Sequence, residues 1–262
     1  MAGDRDQPGA VSFHRRELPR DTCVSFASPR GKKIFTRALL KGTMRNYFAL
    51  AEQFHTQQEP AYCGLATLVM VLNAMAIDPG RVWKGVWRWF SEELLDCCKD
   101  IELVKREGID LDEFARLARC NGAMCTITTG AEVSLDEFRE VVLGNMREKG
   151  AEPCDSEPCC SFLCVNYDRG VLGQTGTGHF SPVAGYNEEE DLLLVLDVAR
   201  FKYPPHWVKL SLLHDAMKGE RGFALLSPGT GEQGEPVLGC QGGCALRGFD
   251  RQGRPSCSRC GG

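Results

Sequence analysis

The sequence lacks the features that would direct it to a membrane or to nucleic acid. None of its apolar runs reaches about 18 residues, the length that a membrane-spanning helix needs. The N-terminal segment has no apolar centre, so we expect no signal peptide, no membrane partner and a cytoplasmic protein. The formal net charge of -4 provides no basic field, which argues against a nucleic-acid partner.

Length and composition exclude two further classes, a disordered chain and a miniprotein. The 262 residues suffice for one large domain or two small ones with a buried core, and 43% of them are apolar. What the chain has in excess is cysteine, with 14 residues. In a cytosolic protein such a number indicates metal thiolates or catalysis rather than disulfides.

The N-terminal half has the periodicity of helices. Residues 1–33 are polar and rich in Pro and Gly, so we interpret them as an arm that leads to a first helix at about 43–53. The aromatic run "WKGVWRWF" is predicted to pack two helical elements together. Asp110 with Glu113, and Ser134 with Glu137, form capping-box patterns that predict two more helices, the first ending at Asn-Gly.

From Cys160 onward the segments become short, apolar and separated by turns, as in antiparallel strands. The sequence therefore predicts an α+β fold, with a helical lobe at about 34–150, a sheet lobe at about 151–228 and a groove between them. Residues 229–262 are rich in Gly and Cys and poor in apolar residues, so this tail cannot form a core of its own.

One cysteine stands out by its position. Cys63 precedes the apolar, helix-period run "GLATLVMVLNAM", so its thiol is expected at the first turn of a buried helix. The N-terminus of a helix favours a thiolate. Gln57, six residues upstream, could join the Cys63 backbone N–H in binding an oxyanion. The alternative is a small apolar cysteine of the core.

A thiol nucleophile needs a base, and His179 is the strongest of five candidates because it opens a strand after the glycine-rich run "GQTGTG". The loop "NEEED" predicts a hairpin centred near Glu188, which sets His179 opposite Asp197. An acid in that place would orient the imidazole. A purely structural His–Asp pair is the alternative. The other histidines are His14, His55, His206 and His214.

Cys, His and Asp in this order resemble the papain-like cysteine peptidases. The segments "EPAYCGLATLVMVLNAMAIDPGRVWKGVWRWF", "LLDCC", "QTGTGHFSPVAGYN" and "LDVARFKYPPHWV" are similar, more narrowly, to the catalytic domain of phytochelatin synthase. The resemblance extends from about Phe13 to Ser227 and implies a papain-like fold for a catalytic domain at 34–228. It also implies an acyltransferase, glutathione γ-glutamylcysteinyltransferase.

The resemblance implies a reaction as well. In that family a cysteine attacks glutathione, expels glycine and holds γ-Glu-Cys as a thioester, which the amine of a second glutathione or of a phytochelatin chain then takes up. Cys63 matches the nucleophile, His179 the acid and base, Asp197 its orienting residue and Gln57 the oxyanion donor. No organic cofactor is implied.

The resemblance implies substrate-binding residues at four further positions, where an Arg or Tyr could otherwise be a surface or packing residue, and the glycine run adds Gly178 as a fifth. Glu59 resembles the acid that receives the ammonium group of the donor, and Arg200 a cation held at the site. Arg169 and Tyr203 resemble residues that line the acceptor region, and Gly178 belongs to the glycine run beside His179.

Metal ions are implied as partners in two ways. Family members use glutathione whose thiol carries Cd(II) or Zn(II), so the ion is expected as part of a metal-thiolate substrate and as an activator. The tail cysteines have the spacing C-x3-C-x12-C-x2-C, compatible with one tetrahedral Zn or Cd site or with a thiol-rich tail that binds none. They are Cys240, Cys244, Cys257 and Cys260. Further thiols that could sense metal, or simply pack, are Cys97, Cys98, Cys154, Cys159, Cys160 and Cys164.

Two alternatives stay open alongside synthesis of phytochelatins for heavy-metal detoxification. The plant members carry a large cysteine-rich C-terminal region that this sequence does not contain, whereas short bacterial relatives mainly hydrolyse glutathione. The first alternative is therefore a peptidase that produces γ-Glu-Cys and glycine. The second is a non-catalytic protein that sequesters metal with its thiols. A homodimer is one candidate for the assembly.

Overall fold

A single antiparallel sheet of seven strands organises the structure, a computed structural model that describes residues 12–147 and 161–229. The strand order is β1-β6-β5-β4-β3-β7-β2, and every neighbouring pair is antiparallel. The strands are β1 (Cys23–Ser25), β2 (Ala123–Thr129), β3 (Phe162–Asp168), β4 (Gly178–Asn187), β5 (Leu192–Val195), β6 (His206–Lys209) and β7 (Gly222–Pro228).

Seven α-helices accompany the sheet in the described residues. They are α1 (Pro29–Leu40), α2 (Tyr47–Glu52), α3 (Cys63–Ala74), α4 (Ile101–Glu107), α5 (Leu111–Cys120), α6 (Leu135–Met146) and α7 (Leu210–Ala216). A short 3-10 helix, Glu92–Leu94, precedes α4. Both predicted capping boxes are present, Asp110 with Glu113 at α5 and Ser134 with Glu137 at α6. None of the described helices is long and apolar enough to cross a bilayer.

Helices cover both faces of the sheet. On one face α3 is buried from Gly64 to Asn73 and packs with α5 against alternate residues of the central strands, such as Phe180. On the other face α6 and α7 bury the intervening residues, such as Val183. The strands are therefore apolar on both faces, which explains why their sequences are continuous apolar runs without polar alternation. The predicted α+β fold is confirmed.

The N-terminal prediction was wrong in part. The segment interpreted as an arm contains β1, which pairs with β6, and the first residues of α1. Ser28 caps α1, which buries Ile34 and Ala38, so the folded domain begins before residue 34. The helix predicted at about 43–53 is confined to α2. The start signals of α1 were present, Ser28 as the cap and Pro29 at the first helical position, but the Pro and Gly residues of this segment were interpreted as marks of an irregular arm.

Two other expectations need correction. The run "WKGVWRWF" forms a loop with a bridge between Lys84 and Trp87, and Trp87 is 72% exposed, so only its last residue, Phe90, packs in the core. Strand β2 lies within the predicted helical lobe but pairs with β7 at the edge of the sheet. The predicted tail lies outside the described residues, apart from Gly229.

Candidate active site

The predicted nucleophile begins a helix at the side of a cleft. Cys63 is the first residue of α3, and Tyr62 precedes it without making a side-chain capping bond. The N–H groups of the first turn are not occupied by a capping side chain, and the positive end of the helix dipole acts on the thiol. Cys63 is partly exposed, whereas the helix behind it is buried from Gly64 onward. The core therefore fixes the helix and leaves the thiol accessible.

His179, the second residue of β4, connects this thiol to a buried acid. Its Nε2 atom lies 3.0 Å from Oδ1 of Asp197, and the ring shares a hydrogen bond with the thiol of Cys63. Because Nε2 faces the carboxylate, Nδ1 is the nitrogen left for the thiol. Both His179 and Asp197 are buried, so this pair is held in one arrangement by its surroundings.

The three groups shift one another's pKa values. Burial raises the pKa of the Cys63 thiol, but the hydrogen bond and charge of His179 oppose this effect, and the net pKa lies below the ordinary value. Burial lowers the pKa of His179, and the Asp197 carboxylate more than offsets this effect. Burial raises the pKa of Asp197, yet His179 and Arg169 hold it far below the usual range. The arrangement therefore favours a thiolate beside an imidazolium.

Asp197 reaches His179 by a route that differs from the predicted hairpin. The observed pairing joins Tyr186 to Leu193, then shifts between Val183 and Gly185, and β5 ends at Val195. Continuing that register would place residue 199, not Asp197, opposite His179. Asp197 instead lies in the irregular segment after β5, and its carboxylate turns toward the imidazole. The predicted contact is present, but the register from which it was derived was wrong.

Buried polar groups behind Asp197 hold it in place. Arg169 donates from Nη2 to Oδ1 of Asp197 at 2.9 Å, and from Nη1 to the side-chain oxygen of Gln174. The Gln174 amide nitrogen lies 3.0 Å from Nε2 of His206. The Nδ1 atom of His206 faces the carbonyl of Pro204 at 3.0 Å, which can only accept, so Nε2 accepts from Gln174.

The cleft beside Cys63 has a volume of about 410 Å³, in the range typical of small-molecule sites. Its walls are formed by the end of α4 and the following loop, the start of β4 and the segment after Asp197. They include Cys63, Arg106, Gly108, Ile109, Arg169, Gly178, His179 and Lys202. A larger cavity of about 590 Å³ beside Trp87 has no cysteine or histidine among the described residues that line it.

Gln57, the predicted oxyanion donor, already donates its side-chain hydrogens to backbone carbonyls in this structure. Gln57 is buried, and its Nε2 atom donates to the carbonyls of Glu59 and Pro60 at 2.8 and 2.9 Å. Its backbone N–H donates to the carbonyl of Val198 at 3.0 Å. Gln57 thus links the loop before Cys63 to the segment after Asp197, and its role toward an oxyanion stays a prediction.

Two of the predicted substrate-binding residues line the cleft, and a third lies behind its wall. Gly178 and Arg169 line the cleft, although Arg169 is 3% exposed and is chiefly the partner of Asp197. Tyr203 does not line the cleft as the structure describes it. Its hydroxyl accepts from the backbone N–H of Thr175 at 2.8 Å, and its ring lies beside the Arg169 guanidinium. Tyr203 therefore supports the wall from behind.

The other two predicted contacts lie at the periphery. Glu59 forms an ion pair with Lys105 at 2.8 Å, with both side chains partly exposed. Arg200 is exposed, and its guanidinium lies 4.6 Å from the centre of the Phe54 ring. Neither residue lines the cleft that the structure describes.

The sequence reasoning missed two cations of the cleft, Arg106 and Lys202. Arg106 belongs to α4, a helix that was not predicted. Its signals were present, since Asp100 caps the helix and Gly108, with a φ of 74°, ends it. Lys202 had no comparable signal, because it lies in an irregular segment and reaches the cleft only through the fold.

The proposed tail metal ligands, Cys240, Cys244, Cys257 and Cys260, lie outside the described residues, as do Cys154, Cys159 and Cys160. Cys164, another of the thiols that were expected to sense metal or to pack, is buried in β3. A metal site in the tail stays a prediction.

Comparisons with known proteins find relatives that match most of this chain. The chain is 50% identical over 224 residues to glutathione gamma-glutamylcysteinyltransferase 1 of Arabidopsis thaliana and 45% identical over 224 residues to the glutathione gamma-glutamylcysteinyltransferase of Schizosaccharomyces pombe. Each alignment covers 83% of this chain, but 44% of the first protein and 51% of the second. The chain thus spans about half the length of these curated relatives.

A solved structure is also similar at a distance, a double glycine motif protease from an AMS/PCAT transporter in complex with its leader peptide. It is 16% identical, with a TM-score of 0.40, over 67% of this chain and 90% of that one, and a likeness so weak carries no argument. The family model described as phytochelatin synthase, by contrast, matches residues 13–221, which include Cys63, His179 and Asp197. The chain belongs to the phytochelatin synthase family.

Proposed function

We propose that this protein transfers the γ-Glu-Cys unit of glutathione to the amine of a second glutathione or of a phytochelatin chain. The observation that carries the proposal is the partly exposed thiol of Cys63, hydrogen-bonded to a histidine whose other nitrogen faces a buried carboxylate. This arrangement is suited to acyl transfer through a thioester. The names of the relatives supply the substrate, glutathione, and the group that is transferred.

The first half-reaction forms the thioester. The Cys63 thiolate attacks the carbonyl carbon of the Cys–Gly bond of glutathione, and negative charge develops on the carbonyl oxygen. The backbone N–H groups at the start of α3 are the proposed donors to that oxygen, joined by the amide of Gln57, which would require exchange of one of its two present carbonyl partners. As the C–N bond breaks, the His179 imidazolium gives its proton to the nitrogen of the departing glycine.

The second half-reaction restores the thiol. The α-amine of the acceptor attacks the thioester carbonyl, the C–S bond breaks, and neutral His179 takes the proton that the amine loses. Asp197 stays ionised throughout, because its pKa lies far below the usual range, and it holds the imidazole in position. The product is longer than the acceptor by one γ-Glu-Cys unit.

The charges of the cleft fit a substrate with two carboxylates. Arg106 from α4 and Lys202 from the segment after Asp197 both line it, and glutathione carries one carboxylate at each end. Gly178 lets the backbone come close to the substrate. Glu59 is retained as a contact for the donor ammonium, which would require exchange of its present partner, Lys105. Arg200 is retained as a cation at the rim of the site.

Metal ions enter the proposal as part of the substrate. Cd(II) or Zn(II) bound to the thiol of glutathione would leave its amide and amine groups free to react, so that the metal thiolate serves as donor or acceptor. Activation by these ions follows from the supply of that substrate. The reaction needs reduced thiols, which favours a cytoplasmic protein. No organic cofactor is needed, and a homodimer is compatible with the scheme.

Two other functions use the same residues differently. A glutathione peptidase would let water attack the thioester, producing free γ-Glu-Cys. A metal-sequestering protein would need many thiols but no cleft, and it would leave the contact between His179 and Asp197 unexplained. The accessible cleft beside Cys63 favours an enzyme over sequestration.

The deciding experiment is mass spectrometry of glutathione incubated with the purified protein, with and without Cd(II). Wild type with metal should produce (γ-Glu-Cys)n-Gly and glycine. Cys63→Ser should produce neither, whereas Cys125→Ser, which removes a buried thiol of the core, should retain both. Glycine and γ-Glu-Cys alone would make the protein a peptidase. Absence of glycine release in every sample would leave metal binding as the surviving function.

A further inference from the structure

A second group of cysteines lies apart from Cys63, in a place that the proposed reaction does not use. The sulfur atoms of Cys97, Cys98 and Cys120 all lie within 4.8 Å of one another. Cys97 and Cys98 precede α4, and Cys120 is the last residue of α5. Cys97 and Cys120 are buried, whereas Cys98 is partly exposed. The fold thus joins thiols from two separate segments and keeps one side accessible.

The spacing of the sulfur atoms suits a shared ion. The Sγ atoms of Cys97 and Cys98 are 3.5 Å apart, well beyond the roughly 2.05 Å of a disulfide bond. Three ligands at a Zn–S distance of about 2.3 Å in a tetrahedral site are about 3.8 Å from one another. The Nδ2 atom of Asn121 donates to the Cys97 sulfur at 3.5 Å, as an outer hydrogen bond to a metal-bound thiolate does.

We propose that Cys97, Cys98 and Cys120 form a binding site for a thiophilic divalent cation, Cd(II) or Zn(II), separate from the metal-thiolate substrate. Soft thiolates select such ions over Mg(II) and Ca(II). On binding, the three S–H protons pass to solvent and three metal–sulfur bonds form. The partly exposed side at Cys98 is the entry path, and a water or a small thiol completes the coordination.

The proposed site has a direct connection to the cleft. Lys99, next to Cys98, donates to the carbonyl of Gly108 at 3.0 Å and forms an ion pair with Glu113 at 3.0 Å. Gly108 and Ile109 form part of the cleft wall beside Cys63. An ion that joins the start of α4 to the end of α5 would therefore brace both helices and the loop between them, which carries this wall.

Binding is tested on the full chain with Cys63→Ser, so that the reactive thiol is absent, using Cd(II) alone as the probe. We would measure bound Cd per chain by equilibrium dialysis and sulfur-to-cadmium charge-transfer absorption. Adding Cys98→Ser should remove one Cd per chain. Adding Cys125→Ser should remove none, because that thiol is buried outside the cluster. All variants carry the same tail thiols, so any Cd bound there cancels when the variants are compared.

A second variant guards against misfolding. Cys120→Ala should also lose one Cd while circular dichroism without metal matches the parent. Equal Cd binding by the parent, Cys98→Ser and Cys120→Ala would overturn the proposed site and leave three thiols that only pack. This test does not depend on the proposed transferase activity, since no substrate is present.

The connection to the cleft has its own readout. In the parent, Cd(II) should slow hydrogen exchange of the Gly108 and Ile109 amides, and in Cys98→Ser it should have no effect there. Slowed exchange in both proteins would attribute the effect to another site. Cd binding at the cluster without any change at these amides would overturn the bracing while the site itself stands.

Discussion

Asp197 Oδ1 lies 3.0 Å from Nε2 of His179 and also accepts from Nη2 of Arg169 at 2.9 Å and from the backbone N–H of Ala199 at 2.9 Å. Its other oxygen lies 2.9 Å from Nη1 of Arg169. The carboxylate is thus shared between the His179 imidazole and a buried guanidinium. With His179 protonated, Arg169 supplies the second positive charge that balances the Asp197 carboxylate and the Cys63 thiolate together.

Arg169→Met should therefore lower the free energy of unfolding by about 3–5 kcal/mol, because it leaves a buried carboxylate with one partner fewer. Arg221→Met is the matched control. Its ion pair with Asp168, at 3.2 Å, lies at the surface with both side chains 30% exposed, and its loss should cost about 0–1 kcal/mol. Urea denaturation measures both. Similar values for the two variants would contradict the structural role of Arg169.

The reactivity of Cys63 should depend on His179. The His179 side chain holds the thiol pKa below its ordinary value, so its removal in His179→Ala raises that pKa and reduces the thiolate at neutral pH. Each unit of increase reduces the thiolate about tenfold. Iodoacetamide should label Cys63 of the wild type at pH about 7, and His179→Ala at least about tenfold more slowly.

Peptide mass spectrometry gives the rate of labelling at each cysteine, and Cys125 serves as the internal control. Burial raises the pKa of Cys125 to about 11, so it should react slowly in both proteins. A Cys63 rate that is unchanged in His179→Ala would show that the helix terminus alone sets its reactivity.

Local patterns explain what could be predicted from the sequence. Cys63 preceded an unbroken apolar helix, and the caps at Asp110 and Ser134 are encoded within four residues, so these positions needed no knowledge of distant contacts. The contact between His179 and Asp197 was predicted correctly from a wrong register. The shift between Val183 and Gly185 changes the pairing, and no single residue type indicated it.

The remainder of the site depends on contacts between distant segments. Arg169 was expected to line the acceptor region because of the family resemblance, and nothing in "YDRGV" indicates that its guanidinium is buried against Asp197, 28 positions later. Cys120 ended a predicted helix, but its proximity to Cys97 and Cys98 follows only from the packing of α5. Such pairings are set by tertiary structure, which local propensity does not encode.

Gln57 should contribute both to catalysis and to the stability of its loop. Gln57→Ala should lower kcat about 10²–10³-fold, because it removes the proposed oxyanion donor, with little change in KM. It should also lower the free energy of unfolding by about 1–3 kcal/mol, since two carbonyls lose their partner. Gln58→Ala, at an exposed neighbouring position, is the control. Lost stability with an unchanged kcat would make Gln57 a loop residue only.

The balance between transfer and hydrolysis should vary with pH. Transfer needs an unprotonated acceptor amine, and α-amines have a pKa of about 8, so turnover to oligomers should rise from pH about 7 to about 9. Hydrolysis does not require that amine. The ratio of oligomer to free γ-Glu-Cys, measured with glutathione in excess, should therefore increase over the same range. A ratio that stays flat would argue against amine attack as the step observed.

Gly64, directly after Cys63, leaves the space that Ile109 occupies in the wall of the cleft. A Cβ at this position would lie 2.5 Å from both Cγ1 and Cδ1 of Ile109, closer than any contact allows. Gly64→Ala should push Ile109 into the cleft, which lowers kcat/KM and reduces the free energy of unfolding by about 1–3 kcal/mol. Kinetics and urea denaturation measure the two effects.

A compensating variant makes this test specific. Ile109→Ala removes both atoms that would clash, so the double variant Gly64→Ala with Ile109→Ala should recover most of the kcat/KM that Gly64→Ala loses. Gly144→Ala is the control for a glycine replaced in a helix. Its Cβ would meet nothing within 4 Å at this exposed position of α6, so the substitution should leave kcat/KM unchanged and stabilise the fold by up to about 1 kcal/mol. If the double variant were no better than Gly64→Ala, the clash with Ile109 could not be the cause of the loss.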